Sequence, residues 1–118
     1  MKLSIVTPKK ALNKAYLKEK VGRADIDKFK ANLSLMVERI NENESEEHLK
    51  NIIADFLKDT WYKEIHEINT KDRNDLVIHS GKSSKEPAAV IIEAKRPANK
   101  AEMVSEEKPN SKALHELI

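Results

Sequence analysis

The first half of the sequence carries apolar residues at helical spacing in three stretches. A short lysine-rich stretch over residues 9–20 is predicted to be a helix. A second helix is expected from an N-cap at Asp25 to about Asn41, because its apolar residues recur mostly at steps of three or four. These apolar residues are Ile26, Phe29, Leu33, Met36, Val37 and Ile40. Ser45 is predicted to cap a third helix that runs to about Asp59.

In the second half of the sequence the apolar pattern becomes that of strands. Glu64–Thr70 and Asp75–His79 are short, partly β-branched runs, and the polar residues 71–74 between them are typical of a hairpin turn. The run Ala88–Lys95 is apolar in its first half, which predicts a central strand buried on both faces. A last helix is predicted from near Ser111.

This order of elements indicates one domain of the α/β or α+β class, in which helices cover a small sheet. A length of 118 residues fits a single core. The domain is divided into a helical part (9–59), a sheet (62–97) and a C-terminal helix from residue 111. Leu114, Leu117 and Ile118 follow the spacing of a packing stripe. We therefore expect this helix to be truncated, and either to continue in a longer chain or to pack against a second copy in a homodimer.

Composition excludes several classes of protein. The sequence has no cysteine, which rules out a disulfide scaffold and a thiolate zinc site. It contains no apolar run near the roughly 20 residues that span a bilayer, and its first residues lack the apolar core of a signal peptide. The apolar share of 39% still permits a modest core. We expect a soluble, cytoplasmic protein that has no contact with membranes.

The net charge of +2 hides a segregation of charge along the chain. Residues 1–30 carry nine Lys or Arg against three Asp or Glu, whereas residues 31–70 carry four against nine. The basic N-terminal third is compatible with phosphate contacts. It is equally compatible with a solvated, lysine-rich helix face, so charge alone does not decide between the two.

The candidate chemistry lies at the end of the run Ala88–Lys95. Glu93 and Lys95 share one face of a strand, because alternate residues of a strand point to the same side. Burying both charges costs several kcal/mol per ion unless they are paired or bound to a metal. Asp75 begins the preceding strand, and it approaches Glu93 if the two strands are neighbours. One interpretation is a structural Glu–Lys pair at the exit of the strand.

The other interpretation is a cation site with a cationic helper. Two carboxylates, from Asp75 and Glu93, favour Mg²⁺ or Mn²⁺, which prefer oxygen ligands. Such an ion polarises a phosphoryl oxygen and generates hydroxide from bound water. Lys95 would orient or deprotonate that water, or neutralise charge in the transition state.

The arrangement Asn74-Asp75…Glu93-x-Lys95 resembles the PD-(D/E)xK nuclease signature. The surrounding sequence is similar to the N-terminal nuclease region of type IIG (Eco57I-like) restriction–modification enzymes, in which a nuclease precedes an adenine-specific DNA methyltransferase. The similar segments are residues 7–17, 44–51, 68–79 and 90–100. The resemblance therefore covers nearly the whole chain.

This resemblance implies a restriction-endonuclease-like three-layer core with a small mixed sheet flanked by helices. It implies Asp75, Glu93 and Lys95 as catalytic residues, with Asp75 and Glu93 as ligands of Mg²⁺ or Mn²⁺. Many such nucleases add a glutamate from a helix before the sheet, which here is Glu46 or Glu47. Glu46 projects to the packed face of its helix and Glu47 nearly opposite, which favours Glu46 as the third metal ligand.

The resemblance also implies double-stranded DNA as substrate, a bacterial or archaeal cytoplasm, and a methyltransferase domain in the parent chain. No methyltransferase motif occurs within the 118 residues, so we expect an excised domain or a degenerate fragment. Two other functions stay open. One is a non-catalytic DNA-binding or scaffold module that retains the nuclease fold, and the other is a small interaction domain whose Glu93–Lys95 pair is structural.

Overall fold

The computed structural model describes residue 4, residues 6–71 and residues 74–118. It contains four α-helices, three strands and three further helical turns within those ranges. The α-helices are α1 (Pro8–Ala11), α2 (Arg23–Arg39), α3 (Glu46–Leu57) and α4 (Lys112–Leu117). The strands are β1 (Ile68–Lys71), β2 (Asn74–His79) and β3 (Ala88–Ile92). The turns are 3-10 helices at Tyr16–Lys18 and Pro97–Glu102 and a π-helical turn at Lys58–Tyr62.

Two helices begin where the sequence predicts them. The Ser45 side chain accepts a hydrogen bond from the backbone N–H of His48 at 3.1 Å, which caps α3. The Ser111 side chain accepts from the N–H of Leu114 at 3.4 Å and caps α4. Each serine satisfies a donor that has no partner within its helix.

Two predictions for the N-terminal helices are wrong. The N-cap of α2 is Gly22 and not Asp25, which lies in the first helical turn, where the helix dipole favours a carboxylate. The predicted helix over residues 9–20 is broken into α1 and a separate 3-10 turn. Residues 6–25 are all exposed, so tertiary packing does not stabilise this stretch as one short helix.

The sheet has the order β1-β2-β3, and both pairs of neighbours are antiparallel. The fold is therefore α+β, as predicted, but the expected mixed sheet is wrong within the described residues. The loop of residues 80–87 is too short for a parallel connection, which needs about a dozen residues or more. The hairpin turn was predicted at residues 71–74, of which residues 72 and 73 lie outside the described residues.

The position of β3 also differs from the prediction. β2 is the central strand, and β3 lies at an edge, with Val90 45% and Ile91 39% exposed. An edge strand has a neighbour on one side only, so its apolar residues are less covered than those of β2. Val77, in the middle of β2, is fully buried.

The core lies between α3 and the sheet. Its buried residues are Ala54 of α3, Ile68 of β1, and Leu76 and Ile78 of β2. On the outer side of α3, an aromatic cluster joins it to α2, with ring centroids of Phe29 and Phe56 6.1 Å apart. The N-terminal half of α3 lies near the start of β2, where Lys50 contacts Asp75. Every helix among the described residues is too short or too polar to cross a membrane.

Candidate functional site

The ends of β2 and β3 bring the predicted site residues together. Leu76 pairs with Ile92, so Asp75 at the start of β2 lies beside the residues that follow β3. The N–H of Ala94 donates a hydrogen bond to Asp75 Oδ2 at 2.7 Å. Since Ala94 stands between Glu93 and Lys95, all three predicted catalytic residues lie in one cluster.

Glu93 and Lys95 form a nearly buried ion pair. Lys95 Nζ lies 2.5 Å from Glu93 Oε1, and the two side chains are 5% and 7% exposed respectively. They lie on the same side of the chain, as the alternation of an extended segment requires. A pair so poorly hydrated is retained only with good geometry and additional hydrogen-bond partners.

The additional partners of Lys95 come from two helices. Glu116 Oε2 of α4 lies 2.5 Å from Lys95 Nζ, and Glu46 Oε1 of α3 lies 4.0 Å away. The ammonium group is therefore surrounded by carboxylates from α3, α4 and the end of β3. Sequence reasoning missed Glu116, because α4 had no predicted contact with the sheet.

A second ion network surrounds Asp75. Lys50 Nζ lies 3.1 Å from Asp75 Oδ1 and 2.7 Å from Glu47 Oε2. Glu46 and Glu47 thus both reach the cluster, but each contacts a different lysine. The side chain of Glu46 is 35% exposed and that of Glu47 is 65% exposed. Lys50 was also missed, although its position three residues after Glu47 is a detectable helical pairing.

Burial and hydrogen bonds shift the pKa values of this cluster. Burial raises the pKa of Glu93, and the hydrogen bond with Glu116 and the charge of Asp75 add to that rise, against the opposing effect of Lys95. Burial lowers the pKa of Lys95, but hydrogen bonds to Glu116 and Glu93 outweigh it and raise the pKa above its ordinary value. Hydrogen bonding to Lys95 lowers the pKa of Glu116.

These shifts restrict what the lysines can do. The hydrogen bond with Glu47 raises the pKa of Lys50, although burial opposes it. Both Lys50 and Lys95 are thus ammonium groups at neutral pH. In this arrangement Lys95 is suited to neutralising or orienting negative charge and not to removing a proton from water.

The donor chemistry of the cluster fits a hard divalent cation. Mg²⁺ is commonly held by only one or two carboxylates together with water, and Asp75 and Glu93 supply that number. Across residues 4, 6–71 and 74–118, however, no three His, Cys, Asp or Glu side chains are grouped so that they could hold a metal ion. Glu46 is near the cluster through its contact with Lys95.

Comparison with known proteins assigns the chain to a family. Residues 6–118 match the family described as domain of unknown function DUF7149. The chain belongs to this family. The match spans every residue of the cluster, from Glu46 to Glu116. No curated protein and no solved structure gives a significant match. The description of the family names no activity, so function has to be argued from the cluster.

Proposed function

We propose that this chain is the Mg²⁺-dependent DNA endonuclease domain of a restriction–modification enzyme, hydrolysing phosphodiester bonds. The observation that carries the proposal is the meeting of Asp75 with the buried Glu93–Lys95 pair at the ends of neighbouring strands. Two carboxylates and a buried ammonium group at one sheet end are the groups that metal-assisted phosphodiester hydrolysis requires.

Four residues of the cluster have a role in this proposal. Asp75 and Glu93 would hold Mg²⁺ or Mn²⁺, with Glu46 as an accessory ligand. When bound, the ion supplies polarisation of a phosphoryl oxygen and a water of lowered pKa. Lys95, which is protonated at neutral pH, stabilises the negative charge that develops on the phosphoryl oxygens.

The resemblance to type IIG enzymes supports the finer parts of the proposal. It adds a restriction-endonuclease-like three-layer core, double-stranded DNA as substrate, and an adenine-specific methyltransferase domain in a longer parent chain. An enzyme of this kind works in the cytoplasm of a bacterium or archaeon. The geometry of the cluster does not depend on these additions.

A second function is favoured by a specific observation. The charged groups at the centre of the cluster have partners: Lys95 contacts three carboxylates, and Asp75 contacts Lys50 and the N–H of Ala94. An ion network whose charges already have partners suits a non-catalytic DNA-binding or scaffold module that retains the nuclease fold. In that case the salt bridges stabilise the fold.

Divalent-ion binding separates the two functions. Mn²⁺ binding by the 118-residue chain is measured by electron paramagnetic resonance for the wild type, Glu93→Gln and Asp55→Asn. Asp55 is a matched control, because its carboxylate is half-exposed and pairs with Arg39 at 3.0 Å outside the cluster. The nuclease function predicts saturable binding that Glu93→Gln weakens at least about tenfold and Asp55→Asn leaves unchanged. No binding by the folded wild-type chain would favour the structural network.

Cleavage is tested in a protein that carries this domain together with its methyltransferase. Glu93→Ala and Lys95→Ala are expected to abolish Mg²⁺-dependent nicking of plasmid DNA and to leave methyl transfer intact, because the two reactions use different sites. Asp55→Asn should retain both activities. Loss of both activities in a variant that is still fully folded would instead indicate a structural role for the cluster.

A further inference from the structure

Lys95 has one hydrogen-bonded carboxylate that is open to solvent. The side chain of Glu93 is buried together with that of Lys95. Glu116 lies equally close to Lys95 Nζ, at 2.5 Å, but its side chain is 38% exposed. Glu46, at 4.0 Å, is beyond hydrogen-bond distance. Glu116 is therefore the partner that can leave Lys95 without losing contact with water.

Glu116 also has a second cation within reach. Its other carboxylate oxygen, Oε1, lies 3.8 Å from Lys112 Nζ, one turn earlier on α4. The side chain of Lys112 is exposed, so that contact is hydrated. A Glu116 carboxylate that leaves Lys95 thus keeps a cationic neighbour. Glu93, by contrast, has Lys95 as its one cationic partner among the described residues.

The C-terminal end of α4 is weakly packed. The helix has six residues, and its buried positions lie at its start, at the N-cap Ser111 and at Ala113. Leu117 and Ile118 at the other end are 42% and 81% exposed. A helix this short is marginal by itself, so the place of Glu116 depends on the contacts of its side chain.

We propose that Glu116 is an autoinhibitory residue, whose carboxylate occupies the place of a phosphoryl oxygen beside Lys95 until a DNA phosphate displaces it. This inference rests on the nuclease function proposed above, in which Lys95 faces the phosphoryl group. Hydrogen bonding to Lys95 lowers the pKa of Glu116, so Glu116 is an anion at neutral pH. An anion at this position takes an N–H donor of Lys95 and repels a phosphate. When a phosphate enters, the Glu116 carboxylate exchanges Lys95 for Lys112 and water.

Removing the charge of Glu116 tests this role. Glu116→Gln keeps the size of the side chain, and Glu102→Gln is the matched control. Glu102 is similarly exposed, at 32%, and contacts Lys112 at 3.4 Å, but it forms no ion pair with Lys95 in the described part of the chain. DNA binding is measured by the fluorescence anisotropy of a labelled duplex, at low salt and with Mn²⁺ present.

The two variants should differ in their affinity for the duplex. Glu116→Gln is expected to bind at least about fivefold more tightly than the wild type, and Glu102→Gln less than about twofold more tightly, because repulsion between charges falls with distance and is screened by salt. An equal gain in both variants would overturn the proposal, since it would reflect only the loss of one negative charge.

Carboxyl ¹³C signals show whether the Glu116 side chain itself is displaced. The signals of Glu116 and Asp55 are assigned from their absence in Glu116→Gln and Asp55→Asn. Excess duplex should shift the Glu116 signal of the wild type and leave that of Asp55 in place, because Asp55 pairs with Arg39 outside the cluster. A Glu116 signal that does not move with bound duplex would overturn the displacement.

Mn²⁺ binding keeps the failure of this inference distinct from the failure of the proposed function. Saturable Mn²⁺ binding together with equal duplex affinity in the wild type and Glu116→Gln would overturn the autoinhibitory role and leave the nuclease function standing. Absence of Mn²⁺ binding in both folded proteins would overturn the two proposals together, because the inference requires a site for metal-assisted hydrolysis.

Discussion

At the scale of single residues, the candidate site depends on one nearly buried lysine. Lys95 neutralises Glu93, whose side chain is only 7% exposed, and also contacts glutamates from two helices. In water these charges would be hydrated, whereas in this cluster each charge is stabilised by its oppositely charged neighbours. Removing the lysine leaves a carboxylate that has neither water nor a cation.

The first prediction follows from that dependence. Lys95→Met keeps most of the side-chain volume but removes the charge, and we expect it to lower the free energy of unfolding by about 3–5 kcal/mol. Urea denaturation at pH 7 measures this change. Arg39→Met is the control, because the Arg39–Asp55 pair is 40% and 49% exposed and should contribute about 1 kcal/mol or less. Equal small losses for both variants would contradict a buried pair.

The second prediction concerns alkaline pH. The pKa of Lys95 in the folded chain is raised above the ordinary value of 10.5, so the folded state binds its proton more tightly than the unfolded state. The stabilisation is fully present below pH 10.5 and is lost as pH rises through the folded pKa. Thermal unfolding between pH 8 and pH 12 should therefore show a fall in stability above about pH 10.5.

Lys95→Met provides the control for this titration. Its stability should fall less steeply over the same range, because it lacks the contribution of Lys95 and keeps that of Lys50, the other lysine with a raised pKa in the described part of the chain. The same slope in the variant and the wild type would mean that Lys95 does not gain its proton affinity from folding.

At the scale of elements, α3 links the core to the site. Its buried residue Ala54 packs with residues of β1 and β2 in the core, while its first turn carries Glu46 and Glu47 to the two lysines. The position of that turn depends on the Ser45 cap, which satisfies the N–H of His48. Loss of the cap should loosen the first turn and with it both ion networks.

The third prediction tests this cap. Ser45→Ala is expected to lower the free energy of unfolding by about 1 kcal/mol, whereas Ser45→Asp keeps a capping oxygen and should cost much less. Chemical denaturation measures both values. Hydrogen exchange at the N–H of His48 should be faster in Ser45→Ala only. An alanine variant as stable and as protected as the wild type would show that the cap does not hold this turn.

At the scale of the whole molecule, charge and size limit binding to DNA. Sequence-specific readout needs about 1,000 Å² or more of protein surface. A net charge of +2 supplies little attraction to phosphates. The basic residues are concentrated in the exposed N-terminal stretch, and the acidic residues in the middle of the chain.

The fourth prediction is that the 118-residue chain binds DNA poorly and cuts it slowly or not at all. Duplex DNA is incubated with the chain and Mg²⁺ or Mn²⁺ over a range of salt concentrations, and binding and cleavage are both measured. Weak binding is the expected result, with a shallow dependence on salt, because a chain of this charge neutralises few phosphates. Rapid, site-specific cleavage would contradict it and would place recognition within this domain.

Local signals in the sequence determined the elements that have a clear period and a cap. α3 and α4 begin after the predicted serines, since a capping side chain and its backbone partner are only three residues apart. The apolar run of β2 predicted a strand of nearly the right length. The proximity of Asp75 to the segment Glu93–Lys95 could also be predicted from the sequence, because it required only that consecutive strands be neighbours in the sheet.

The tertiary structure alone decided which element lies beside which. An apolar run such as Ala88–Ile92 does not specify whether it has one neighbouring strand or two. Glu116 and Lys50 reach the site only because α4 and α3 lie against the ends of the strands. The exposed stretch over residues 6–25 lacks the packing that would make it one helix. The periodicity of apolar residues identifies the face of a helix or strand that becomes buried. Which element packs against that face is decided by contacts between residues distant in sequence.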